Sequence, residues 1–142
     1  MGARLRYDEV QVGDVLTATD YPITRKDLVR YAGASGDFND IHWSDRVARE
    51  VGLPDVIAHG NLTMALAGRL LTSWAGDPAA LVEYGVRFTK PVIVPDDGVG
   101  AVLRVEGVVK EKLEDSCVRV ELTATSQGAR VLGQARAVVR LA

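Results

Sequence analysis

The chain is poor in the residues from which many sites are built. Its 142 residues include one cysteine, Cys117, two histidines, two methionines and 6% aromatics. A single cysteine excludes an intramolecular disulfide framework and any zinc site built on paired thiolates. That usage fits a reducing compartment, so the expected location is the cytoplasm. Neither sign of charge is in excess: 17 basic residues face 19 acidic ones, for a net charge of −2. No element gathers a basic run, which argues against a nucleic-acid partner. No apolar run approaches the about 18 residues of a membrane span. Residues Met1 to Val10 lack the apolar stretch of a signal peptide. Arg6 breaks the lipidation pattern that Gly2 would open. No repeat and no Pro/Gly/Ser-rich linker interrupts the chain, which reads as one domain over 1–142.

What is present is ordinary globular material, 47% apolar and 25% charged, in which helical patterns come early and strand patterns late. Residues 15–22 read as a short strand. Thr24 is an N-cap for a helix through Ala32, with Leu28, Val29 and Ala32 as its apolar stripe and Arg25, Lys26 and Arg30 facing outward. Gly33 to Trp43 reads as a loop or broken turn, and Ser44 caps a short helix to about Val51. From Asn61 to about Trp74 runs a helix that is apolar nearly all round, with Arg69 its only charge. Such a helix must be buried on most sides. Strand patterns follow at Leu81–Val94, Ala101–Lys112, Cys117–Ser126 and Ala129–Leu141. Helices first and a meander of long strands afterwards predict an α+β fold, a long central helix wrapped by a curved antiparallel sheet.

The chemistry gathers in two irregular stretches. Asp37 and His42 lie five residues apart, an offset that separates them by about 140° on a regular helix. They converge only across a nonhelical turn, for which Gly36 and Asn39 supply the residues. A carboxylate beside an imidazole makes a proton-transfer pair near neutral pH. Spacing alone equally allows Asp37 and Asn39 to act as caps, with His42 on the surface. His59 and Gly60 open the long helix, whose first N–H groups have no internal partner and sit at the positive dipole end. Gly60 there lets a substrate carbonyl approach as at an oxyanion hole, or simply makes a tight turn. Asp37, His42, Asp45 and His59 show no metal-ligand spacing of a known kind, so no metal is expected.

Tyr31-Ala-Gly-Ala-Ser-Gly-Asp-Phe-Asn-Asp-Ile-His42, Ile57-Ala-His-Gly-Asn-Leu-Thr-Met64 and Val86-Arg-Phe-Thr-Lys-Pro-Val92 occur in that order. Together they resemble the MaoC-like (R)-specific hydratases and dehydratases, and the likeness covers nearly the whole chain. Within that family the chain is most similar to the single-hot-dog, HadB-type catalytic subunits of actinobacterial 3-hydroxyacyl-carrier-protein dehydratases. The resemblance implies a hot-dog fold and reversible syn elimination of water from an (R)-3-hydroxyacyl thioester. The substrate would ride on the phosphopantetheine of a carrier protein or of CoA, with no other cofactor. A homodimer, or a heterodimer with a hot-dog paralogue, is implied as well. Carried over by position, Asp37 and His42 become the catalytic dyad, Asn39 orients the loop, and the Gly60 amide binds the thioester oxygen. His59 becomes a structural neighbour.

Two positions depart from the family pattern. Asp40 stands where the pattern has proline, and Asn61 replaces the methionine after His59-Gly60. Asp40 either faces solvent or adds negative charge beside the dyad, and Asn61 would add an amide near the acyl chain. A serine that some members carry further along the helix aligns with Gly68. These changes point to a divergent substrate, such as a polyketide or polyene intermediate. The competing readings are an (R)-specific enoyl-CoA hydratase, a non-catalytic subunit that shapes an acyl pocket, and a hot-dog thioesterase. Arg25, Lys26 and Arg30 form either a carrier-protein docking patch or a solvated helix face.

Overall fold

A computed structural model describes residues 4–142, so the expectations about Met1 and Gly2 lie outside the described residues. The elements are β1 (Val15–Ile23), α1 (Arg25–Ser35), α2 (Asp45–Glu50), α3 (Gly60–Ala75), β2 (Leu81–Phe88), β3 (Ala101–Lys112), β4 (Cys117–Ser126), β5 (Ala129–Arg130) and β6 (Leu132–Arg140). Two 3-10 turns stand at Tyr7–Glu9 and Asp40–His42. The sheet is antiparallel throughout in the order β1-β3-β4-β6-β2, with β5 paired to β4. This is the hot-dog arrangement, α+β with an unclosed sheet around α3. No helix among the described residues is long and apolar enough to cross a membrane.

Period-two alternation puts one face of the sheet on the helix. Ala101, Leu103, Val105 and Val109 of β3 are buried, as are Val118, Val120, Leu122 and Ala124 of β4. Against them α3 lays Ala67, Leu70, Leu71 and Ala75, and all belong to one core cluster. The helix is not enclosed all round, however. Asn61, Ala65, Arg69 and Ser73 form an exposed stripe at i, i+4 spacing, because the sheet curls around one side only. Arg69 lies 5.6 Å from the Tyr21 ring, which shares its charge with a π face.

Local chemistry sets the ends of the early elements. Thr24 caps α1 in a box with Asp27, and Ser44 caps α2. Three further details differ from the sequence reading. Helix α1 runs on to Ser35, and Val29 on it is 64% exposed rather than part of the buried stripe. The strand read to Val94 ends at Phe88, ahead of Pro91, which has no N–H for a ladder. The last strand breaks at Val131 into β5 and β6. Arg25 does not face solvent either: its guanidinium joins Asp45 at 2.8 Å and Asp55 at 2.7 Å and also reaches the Val94 carbonyl. It thereby ties the starts of α1 and α2 to the segment that leads into α3.

Edge strand β2 meets α3 through aromatic rings. Tyr84 donates from its hydroxyl to the Met64 carbonyl at 2.7 Å, and burial pushes its pKa up to about 12. A Cβ on Gly68 would lie 3.1 Å from the Tyr84 ring. Alanine normally stabilises a helix interior over glycine by about 0.5–1 kcal/mol. The tethered ring reverses that sign, since an overfilled contact costs about 1–3 kcal/mol. Gly68→Ala is expected to lower stability in the parent chain and to raise it in a Tyr84→Ala background. Urea titrations of the four variants check this, and additive effects would contradict it.

Candidate functional site

Three short segments assemble the site. Gly36 ends α1 at φ 77°, in the left-handed region, and redirects the chain. Residues 37–42 then turn by side-chain hydrogen bonds to their own backbone. Asp37 Oδ1 accepts from the Asn39 N–H, and Asn39 Oδ1 accepts from the Ile41 N–H, both at 3.2 Å. Asn39 thus caps the 3-10 turn Asp40–His42. The result is the nonhelical turn that the five-residue spacing required. His42 Nε2 and Asp37 Oδ2 face each other at 3.9 Å.

The second segment fixes the imidazole. Residues 56–58 pair with 92–94: the Ala58 N–H donates to the Val92 carbonyl and the Val94 N–H to the Val56 carbonyl, each at 2.9 Å. This short ribbon presents the Ile57 carbonyl to His42 Nδ1 at 2.8 Å. A carbonyl only accepts, so the neutral ring carries its proton on Nδ1. Nε2 is left with a lone pair directed at Asp37. His42 is buried, whereas the Asp37 side chain is half exposed. A proton acceptor in a protected position therefore stands beside a carboxyl that solvent reaches.

His59 braces this pair. It is buried, and its Nε2 lies 3.1 Å from the Asp37 carbonyl, which makes Nε2 the protonated nitrogen and leaves Nδ1 bare. Nδ1 is the buried polar side-chain atom that finds no partner among the described residues. The ring stacks on His42 at 3.9 Å between centroids, and Tyr31 meets it edge-on at 4.7 Å. Burial pushes its pKa below the ordinary histidine value, and His42 pushes the same way against the Asp37 carbonyl. The neutral ring packs against His42 without adding a second positive charge.

Beyond the dyad lies a pocket of about 290 Å³, lined by His42, Gly60 and Thr63 together with apolar groups such as Ala58, Phe88 and Val131. Gly60 is the first residue of α3, and a Cβ there would strike the Phe88 ring at 3.1 Å. A side chain there would have to displace this half-exposed ring, and glycine also leaves the amide open to a ligand. Asp40 is exposed, and Asn61 lies on the exposed stripe of α3; neither lines the pocket. Asp37, His42 and His59 each bring one potential metal-ligand atom within 4.8 Å of the others, while Asp45 is held by Arg25. The Ile57 carbonyl, the Tyr31 ring and the Phe88 ring escape sequence reasoning. A backbone acceptor has no residue signature, and the two rings read as ordinary helix and strand residues.

With this geometry in place, known proteins supply a comparison. The MaoC like domain family matches residues 9–127. The 3-hydroxyacyl-thioester dehydratase X of Mycobacterium tuberculosis is 45% identical over 73 residues, 51% of this chain and 25% of that protein. The (R)-specific enoyl-CoA hydratase of Rhodospirillum rubrum is 32% identical over 119 residues, 82% of this chain and 80% of that protein. A solved MaoC-like dehydratase superposes with a TM-score of 0.94 at 40% identity, covering 98% of this chain and 43% of its own length. The chain therefore spans a quarter of the first of these proteins and less than half of the third.

The bare, buried His59 makes a pH-dependent contribution. Its folded pKa lies below the unfolded value near 6.5, so the native state resists the proton that the unfolded chain accepts. The associated stability is complete above pH 6.5 and is lost as pH falls below it. His59→Phe keeps the stacking and removes the titration. Between pH 7.5 and 5 the variant is expected to lose stability less steeply than the parent, by up to about 1.4 kcal/mol per pH unit. Denaturant melts across that range test this, and parallel slopes would sink it.

Proposed function

We propose that this chain, which belongs to the MaoC-like domain family, is an (R)-specific 3-hydroxyacyl-thioester dehydratase working reversibly as an enoyl-thioester hydratase. The observation that carries the reading is the Ile57 carbonyl on His42 Nδ1, which leaves Nε2 as the base opposite Asp37. In dehydration His42 Nε2 takes the C2 proton of the substrate. Charge develops on the thioester oxygen, where the Gly60 N–H at the positive end of α3 stabilises it. The C3–O bond then breaks as Asp37 gives its proton to the departing hydroxyl, which leaves as water. C2 and C3 are joined by the new double bond. The syn course that the family resemblance implies requires both groups to act on one face of the substrate. The proton on His42 returns to Asp37 through a water that bridges the 3.9 Å between them, and hydration is the same path in reverse.

These steps draw only on residues of this chain and on the substrate's own pantetheine thioester. The pocket supports an apolar acyl group: its volume of about 290 Å³ sits at the small end of ligand sites, which run from roughly 300 Å³ upward. Its Thr63 hydroxyl is turned back to the His59 carbonyl at 3.4 Å. A second hot-dog domain is expected to complete the site. Phe38, Trp43 and Phe88, next to Asp37, next to His42 and over Gly60, are each more than half exposed, and β1 and β2 leave free sheet edges.

The test is hydration of a trans-2-enoyl thioester, followed by loss of enoyl absorbance. His42→Ala and Asp37→Asn are each expected to lower kcat by about 10²–10⁴-fold, the usual yield of a positioned acid or base, with circular dichroism unchanged. Full activity in either variant would refute the dyad. Release of free thiol in place of hydration would make the protein a thioesterase.

A further inference from the structure

Two openings on the outer face of the sheet, away from α3, are unexplained by the chemistry above. One of about 500 Å³ is bordered by Arg87, Arg119 and Arg136, and one of about 370 Å³ by Lys110, Arg119, Arg130 and Arg136. They share Arg119, Gln134 and Arg136 and so form one continuous groove. Its concavity arises at a bulge, where the β2–β6 register shifts between Gly85 and Arg87 and Gln134 takes φ 46°. Of the five cations, only Arg119 has an ion-pair partner among the described residues, Glu111. Glu83 and Glu121 are the acids that border the groove, so it is cationic on a chain whose net charge is −2.

We infer that this groove docks the acidic carrier protein that delivers the acyl thioester. The inference rests on the thioester reading above and deepens it. Three observations select a protein over the anionic nucleotide of CoA. The cations span β2, β6, β4 and β3, three strand spacings of about 4.8 Å or roughly 14 Å in all. That width matches an α-helix with its side chains, about 10–12 Å across. No aromatic face is offered to an adenine: Tyr84, the ring that borders the groove, is turned to α3 and bonded to Met64. Finally, the groove and the substrate pocket open on opposite faces of the sheet and approach each other where β2 ends. Arg87 and Arg130 border it, while their chain neighbours Phe88 and Val131 line the pocket. Thr89, which donates its N–H to the Val131 carbonyl at 3.1 Å and its hydroxyl to the Arg130 carbonyl at 3.0 Å, forms the ridge between them. A phosphopantetheine arm from a carrier seated on the groove has to pass around this end of the sheet, by Thr89, to bring its thioester to the pocket. The α1 face suggested by the sequence is the weaker site, because Arg25 is spent on Asp45 and Asp55.

The experiment compares one trans-2-enoyl group on N-acetylcysteamine, on CoA and on a phosphopantetheinylated acyl carrier protein. The enzymes are the parent, Arg130→Glu/Arg136→Glu and the milder Arg130→Gln/Arg136→Gln. Charge reversal is expected to raise KM for the carrier-bound substrate at least tenfold, with the neutral pair in between. Values for the N-acetylcysteamine thioester should stay within twofold. In the parent, KM for the carrier-bound substrate should climb with salt, as it does for steered encounters. An unchanged KM for the carrier-bound substrate overturns the inference, and so does an equal rise with CoA, which would assign the groove to nucleotide phosphates. A parent that turns over none of the three thioesters defeats the dehydratase reading itself; one that handles N-acetylcysteamine but ignores the groove variants defeats only the docking site.

Discussion

Burying α3 against a sheet that curls around one side of it is the constraint on which the rest depends. The helix carries too many apolar side chains to stand in water, and the alternating faces of β3, β4 and β6 supply the surface that hides them. Once α3 is seated, its N-terminus is fixed relative to the sheet. Gly60 then sits under Phe88, and the segment before it must run alongside residues 92–94. The position of the candidate site is therefore a consequence of core packing. The site itself contributes little apolar burial.

Electrostatics at the site follow from how few charged groups are taken out of water. His42 and His59 are both buried, yet each has one nitrogen satisfied by a backbone carbonyl, and this decides their tautomers. Stacking two neutral rings costs nothing in repulsion. Burial disfavours a charge on His59, so this ring brings no second positive charge to its stack with His42. The Asp37 carboxyl, by contrast, is left half exposed. The His59 ring is left without a partner at Nδ1 among the described residues, an unsatisfied group beside Asp37 and His42.

Much of this was legible in the chain. Period-two alternation marked β3 and β4 to within a residue, and the Thr24 and Ser44 caps located α1 and α2. Asp37, Asn39 and His42 stood out because a five-residue offset makes sense only across a turn that Gly36 and Asn39 can build. The failures have one cause. Val29, Arg25 and the solvent face of α3 were assigned from local pattern, whereas their exposure depends on which distant segment packs there. A stripe of apolar residues shows that a helix has a buried side; it does not show how much of the circumference is covered.

By itself the sequence determined most of the elements, the turn between Asp37 and His42 and the glycine that opens α3. These rest on local forces: capping, backbone freedom and hydrophobic period. Only the tertiary structure decided that His42 points its lone pair at Asp37, because the deciding partner is the carbonyl of Ile57, fifteen residues away and without a side-chain signature. It alone decided that Arg25 is an internal tie and that Arg87, Lys110, Arg130 and Arg136, far apart in the chain, share one groove. Long-range pairing of strands brings such groups together, and no local pattern records which strands will be neighbours.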